Sequence, residues 1–109
     1  MAKHEFGMMP APPAADKRYD EYEPQRYHCI ALDDEAVERL DPCWQRLPVY
    51  WHTLAVPGCG LAYCGVTLIP PESLGTALAL MPSGAAYQEL RDLLQMAQAG
   101  ERWIIHFGI

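Results

Sequence analysis

The clearest periodic signal lies between residues 84 and 99. Tyr87, Leu90, Leu94 and Ala97 recur at intervals of three and four, and Leu93 widens the stripe, as on the buried face of an amphipathic helix. Ser83 is placed to cap that helix and Gly100 to end it in a left-handed conformation. A second helix is predicted from Pro71 through Leu74, Ala77, Leu78 and Met81, stopping at Pro82. Proline suits the first helical position, and Glu72 lies near the positive end of the macrodipole. A shorter helix is expected after Asp33-Asp34-Glu35, with Asp33 as its cap and Val37 and Leu40 as its apolar stripe. Pro42 stops it or begins a further turn through Cys43, Trp44 and Leu47.

Strands are predicted at 27–32, 49–56, 61–69 and 102–107, where branched and aromatic residues concentrate. Pro57-Gly58-Cys59-Gly60 reads as the turn of a β-hairpin. Merging the two neighbouring helices gives the order β-α-β-β-α-β. The expectation is therefore a single-domain α+β sandwich: an antiparallel sheet with helices on one face, in the ferredoxin-like order. Residues 1–26 precede it. Four of the ten prolines fall there, at 10, 12, 13 and 24, and no helix or central strand is expected across 9–14. Phe6, Met8, Met9, Tyr19 and Tyr22 are too apolar for a solvated tail. The division expected is an extended arm, 1–26, laid on an α+β domain, 27–109, or on a neighbouring subunit.

With a four-residue loop at 57–60, His52 faces Gly65, Leu54 faces Tyr63 and Tyr50 faces Thr67, and opposed residues share a sheet face. One face then collects Tyr50, His52, Tyr63, Gly65 and Thr67 as candidate binding residues. The other holds Trp51, Cys64, Val66 and Leu68 and reads as core. Gly65 leaves room for the His52 ring or for another group to approach the backbone.

Composition narrows the function classes. Half of the 109 residues are hydrophobic, 20% are charged, and the formal net charge is −6. That balance suits one folded domain and opposes binding to nucleic acid, which needs clustered positive charge. Neither a secretory signal nor a membrane span is legible, so a cytoplasmic protein with reduced cysteines is expected. Cys29 and Cys64 read as small buried hydrophobes, while Cys59, between two glycines at a turn, is the candidate reactive thiol. His4, His28, His52 and His106 show no metal-binding spacing, and no phosphate-binding glycine loop is present. No catalytic residue, metal or cofactor is assigned. The favoured reading is a non-catalytic binding or assembly module, a homodimer or a partner-binding protein, acting through the Tyr/His-rich hairpin face and the arm. The alternative is a small enzyme or small-ligand binder with Tyr50, His52 and Tyr63 lining a pocket.

Overall fold

His4, Phe6 and Met8 alternate with Lys3, Glu5 and Gly7, the period-two pattern of a strand with one buried face. In the computed structural model, which describes residues 2–109, Lys3–Met8 forms strand β1. Five more strands follow: β2 (Ile30–Asp33), β3 (Pro48–Trp51), β4 (Pro57–Cys59), β5 (Val66–Ile69) and β6 (Ile104–Phe107). They make one six-stranded sheet in the order β2-β1-β6-β5-β3-β4, antiparallel at every pairing. Helices α1 (Asp34–Trp44), α2 (Pro71–Leu80) and α3 (Gln88–Ala99) complete a single α+β domain.

The helices lie on one face of the sheet. Leu40, Trp44, Leu74, Leu90 and Leu94 pack there on Phe6, Val49, Ile69 and Ile104. Three hydrogen bonds pin this layer through groups that burial would otherwise leave unsatisfied. Trp44 Nε1 donates to the Ala77 carbonyl at 3.0 Å, Tyr87 Oη to the Ala36 carbonyl at 2.7 Å, and Ser73 Oγ to the Pro48 carbonyl at 2.7 Å. The opposite face carries Tyr50, Val66, Leu68, Ile105 and Phe107. It is covered by chain from the β1–β2 connection, including Met9, Tyr19 and Tyr27.

The α+β class and the one-sided placement of the helices agree with the sequence reading. The topology does not follow the ferredoxin-like order. β1 takes an inner position between β2 and β6, so the first strand expected from the pattern, β2, becomes an edge. The boundary expected at residue 26 is crossed for the same reason: Lys3–Met8 belongs to the sheet, and only the chain after it is laid across a face. Prolines begin at position 10 and leave 3–8 free to pair.

The hairpin is also built differently. The chain reverses at 52–56, where the Trp51 N–H donates to the Val56 carbonyl at 2.9 Å and the Val56 N–H to the Thr53 carbonyl at 3.1 Å. Pro57-Gly58-Cys59, expected as the turn, is the edge strand β4 paired with β3. Gly58 is needed there because the Trp51 indole lies over it, within 2.7 Å of where a Cβ would stand. The β3–β5 register is shifted by one, pairing Tyr50 with Leu68 and Trp51 with Thr67. Such a slip exchanges faces.

Smaller departures are local. Pro42 sits inside α1, which continues to Trp44, and neither Asp33 nor the residue before α3 caps through its side chain. Ser83 does not cap α3, whose start is preceded by a 3₁₀ turn over Ala85–Tyr87. Gly100 has φ −94°, and the left-handed residue after α3 is Glu101, φ 52°.

Phe6 is fully buried, edge-on to Trp44 at 6.5 Å and 4.8 Å from the His106 ring centroid. Phe6→Ala is expected to cost about 3–5 kcal/mol, the range for deleting a buried aromatic side chain, read as a lowered urea midpoint. A midpoint equal to that of the parent protein would mean that β1 is not an interior strand.

Candidate functional site

On β1, the side chain of His4 points to the helix side, as Phe6 does. His106 on β6 lies opposite Phe6 and opposite Thr67 of β5. This puts two imidazoles and a hydroxyl side by side beneath the helices, all three residues without solvent exposure. The rings of His4 and His106 stack with centroids 5.1 Å apart and planes 10° from parallel.

A continuous chain of hydrogen bonds runs through them. Asp34 Oδ1 lies 3.0 Å from His4 Nε2, His4 Nδ1 lies 2.9 Å from His106 Nε2, and His106 Nδ1 lies 3.2 Å from Thr67 Oγ1. The Ala62 N–H donates to Thr67 Oγ1 at 2.9 Å. The Tyr63 hydroxyl donates to the other Asp34 oxygen at 3.3 Å, and its ring meets His4 edge-on at 5.8 Å. Asp34 is the first residue of α1, so the chain ties α1 to β1, β6, β5 and the loop before β5. No buried side-chain polar atom among the described residues lacks a partner.

Burial, followed by the neighbouring charge of His4, pushes the His106 imidazole down from 6.5 to about 3. His106 is thus neutral in the folded protein. The negative charge of Asp34 is the main reason the Tyr63 phenol is raised above its ordinary value. The chain opens at one end onto a cleft of about 130 Å³, where α1 contributes Asp34, Glu38 and Asp41 and the loop contributes Leu61, Ala62 and Tyr63.

The five expected binding residues are divided between two places. Tyr63 and Thr67 belong to the histidine chain, at its exposed and buried ends. Tyr50 faces the other side of the sheet, its ring 5.7 Å from that of Trp103. His52 joins it on that side and docks the β1–β2 connection. Its Nδ1 is 2.6 Å from Asp20 Oδ1, its carbonyl accepts from the Tyr19 N–H at 2.7 Å, and its Nε2 accepts from the Val66 N–H at 3.5 Å. Gly65 lies against His52, and a Cβ there would stand 2.5 Å from His52 Nε2. The single Tyr/His face is therefore replaced by an aromatic face already covered by the chain itself and a separate cleft around Tyr63. The one-residue register shift produces that division.

Cys59 is exposed, but it lies on the edge strand β4, and the turn expected around it is at 52–56 instead. Cys64, expected to be buried, is exposed, while Cys29 is half-buried and its thiol is pushed up to about 12, chiefly by burial. All four cysteines are free. Among the described residues no group of three or more His, Cys, Asp or Glu side chains could hold a metal ion, and no helix is long and apolar enough to cross a membrane.

Sequence reasoning missed His4, Asp34 and His106 as a group. The sequence pattern puts His4 on the arm and makes Asp34 a favourable first-turn acid. The available signal was the alternation of His4 with Phe6, which marks both as facing one side of a strand. No family model matches the sequence, and no curated protein or solved structure matches the chain. What the site can do rests on its geometry.

Two outcomes are expected. Gly65→Val is destabilising by at least about 1–3 kcal/mol, since it overpacks His52 at a backbone φ of +105° that branched residues avoid. His52→Ala relieves the clash but not the backbone strain, so the double variant recovers part of the loss. Equal stability of Gly65→Val and the parent protein would remove the contact. The second outcome concerns acid. Between pH 6.5 and about 3 the unfolded chain protonates at His106 and the folded chain does not. The stability present above pH 6.5 is therefore lost as pH falls through this window. Unfolding free energies measured over that range should fall more steeply for the parent protein than for His106→Gln.

Proposed function

We propose that the protein is a non-catalytic binding module whose recognition site is the cleft between α1 and the loop at 61–63. The observation carrying this reading is the pairing of an exposed Tyr63 ring with the carboxylates of Asp34, Glu38 and Asp41 around one small concavity. An aromatic face attracts a cation through its quadrupole, and carboxylates attract it directly. The cleft is far smaller than a typical drug-sized pocket. Its chemistry and size suit the head of an alkylammonium ligand, either a free amine or a basic side chain.

The non-catalytic part of the reading is supported by the histidines. Both nitrogens of His4 and both of His106 are engaged, and the His52 ring is engaged with Asp20 and the Val66 N–H. A general base must reach the proton it removes, and each of these rings would first have to release a partner. The cover over Tyr50 and His52 likewise moves recognition away from that face.

Assembly is the second part of the proposal. Strand β2 ends the sheet and carries an unpaired outer edge, the kind of edge that a second strand extends. A homodimer joined along β2 would have twice the chain mass in sedimentation equilibrium. A monomer throughout the accessible concentration range would remove this part.

Binding is checked by amide chemical shifts during titration with ethylammonium and tetramethylammonium, using 1-propanol as the uncharged control. Shifts are expected at residues 61–63 and at the start of α1 with the cations only. Tyr63→Ala should weaken binding by about 0.5–1 kcal/mol, a two- to fivefold loss typical of an exposed cation–π contact. An equal response to the alcohol, or cation shifts confined to other surfaces, would overturn the assignment.

A further inference from the structure

The buried histidine chain closes on itself. From Asp34 it passes through His4, His106 and Thr67 to the Ala62 N–H, and the next residue, Tyr63, returns to Asp34. Its hydrogen bonds can be directed in two ways, and the two differ by one proton.

With His4 neutral and Asp34 ionised, the direction is set throughout. A carboxylate only accepts, so His4 carries its proton on Nε2 and leaves Nδ1 bare. His106 must then donate from Nε2, and its bare Nδ1 accepts the Thr67 hydroxyl proton. With one proton added, His4 donates from both nitrogens, to Asp34 and to His106 Nε2. His106 is still neutral but holds its proton on Nδ1, aimed at Thr67 Oγ1. The hydroxyl can no longer donate to His106 and has to turn away. The proton comes from solvent and ends shared between His4 and Asp34. His106 only exchanges one tautomer for the other.

We propose that this circuit is a proton-operated switch, in which uptake of one proton at the Asp34–His4 end reverses the tautomer of His106 and alters the hold of Thr67 on the loop at 60–65. Thr67 connects the buried end of the chain to that loop. Ala62 hangs on its oxygen, and Tyr63 beside it forms a wall of the cleft. A change at the buried end therefore reaches the recognition surface through the backbone.

The groups facing the pair are few. His4 meets Asp34 from α1, Tyr63 from the loop and His106 from β6, and Glu38 and Asp41 line the same cleft. His106 meets His4, the uncharged Phe6 ring and Thr67. Asp34, Glu38 and Asp41 are the acidic groups on that side. Burial and the charge then on His4 keep His106 from taking a second. The switch needs no ligand, so it stands or falls separately from cation binding.

The test is a pH titration of the full chain, following the imidazole nitrogens by long-range ¹⁵N correlation and the backbone amides alongside. His106 is expected to move its proton from Nε2 to Nδ1 at one midpoint, at which His4 becomes doubly protonated and the Ala62 amide shifts. Thr67→Ser keeps the hydroxyl and should keep the Ala62 response. Thr67→Val should lose that response while His4 still titrates. A His106 proton that stays on Nε2 throughout would overturn the proposal, as would an Ala62 amide moving at a different midpoint. Both readings come from the parent protein, so the test holds even where Thr67→Val fails to fold.

Discussion

Two fully buried imidazoles lie on the helix side of this sheet, and the arrangement around them follows from the need to satisfy four ring nitrogens away from water. An unpaired buried polar group costs on the order of 1–3 kcal/mol. His4 and His106 meet that demand by bonding each other, and their outer nitrogens by bonding Asp34 and Thr67. Each partner stands on a different element, so the chain sets distances between α1, β1, β5 and β6. Apolar packing on the helix side supplies most of the stabilisation. It is non-directional and would tolerate small slips that the histidine chain does not.

The sheet is closed over on its two faces by different means. Helices bury one face with Leu, Trp and Ile side chains. The other is covered by chain with little regular structure, held by Tyr27, Met9 and Tyr19 and fastened by the His52–Asp20 pair. Irregular chain can cover an apolar face only if its own backbone groups find partners. The Tyr19 N–H does so on the His52 carbonyl, and the Met9 N–H on the Trp103 carbonyl at 2.9 Å. His52 is accordingly a fastening for the cover, while Tyr63 lies exposed on the far side, at the cleft beside α1.

How much of this was legible differs from one residue to the next. The stripe of Tyr87, Leu90, Leu94 and Ala97 marked α3 because a helix of that length repeats its buried face several times. The hairpin was visible as a pair of strands, but its register was not. Pro57-Gly58-Cys59-Gly60 has turn composition, and only the Trp51 indole lying over Gly58 shows why that glycine belongs in a strand. The contact between Gly65 and His52 is real even though the ladder that suggested it is shifted. The hairpin pattern alone puts Tyr63 and Thr67 on the face of His52, whereas the register places them with the histidine chain.

By itself the sequence determined the α+β class, the three helical segments, many of the apolar positions that make the core and the net negative charge. Those properties are local or compositional and survive any arrangement of the elements. Tertiary structure alone decided the place of β1, because a six-residue alternating segment is compatible with an arm or with a strand until β6 and β2 are there to pair with it. The same pairing decided the candidate site. His4 and His106 stand at opposite ends of the chain, and no spacing rule relates residues so far apart. They meet because antiparallel pairing of β1 with β6 puts them on the same face of adjacent strands.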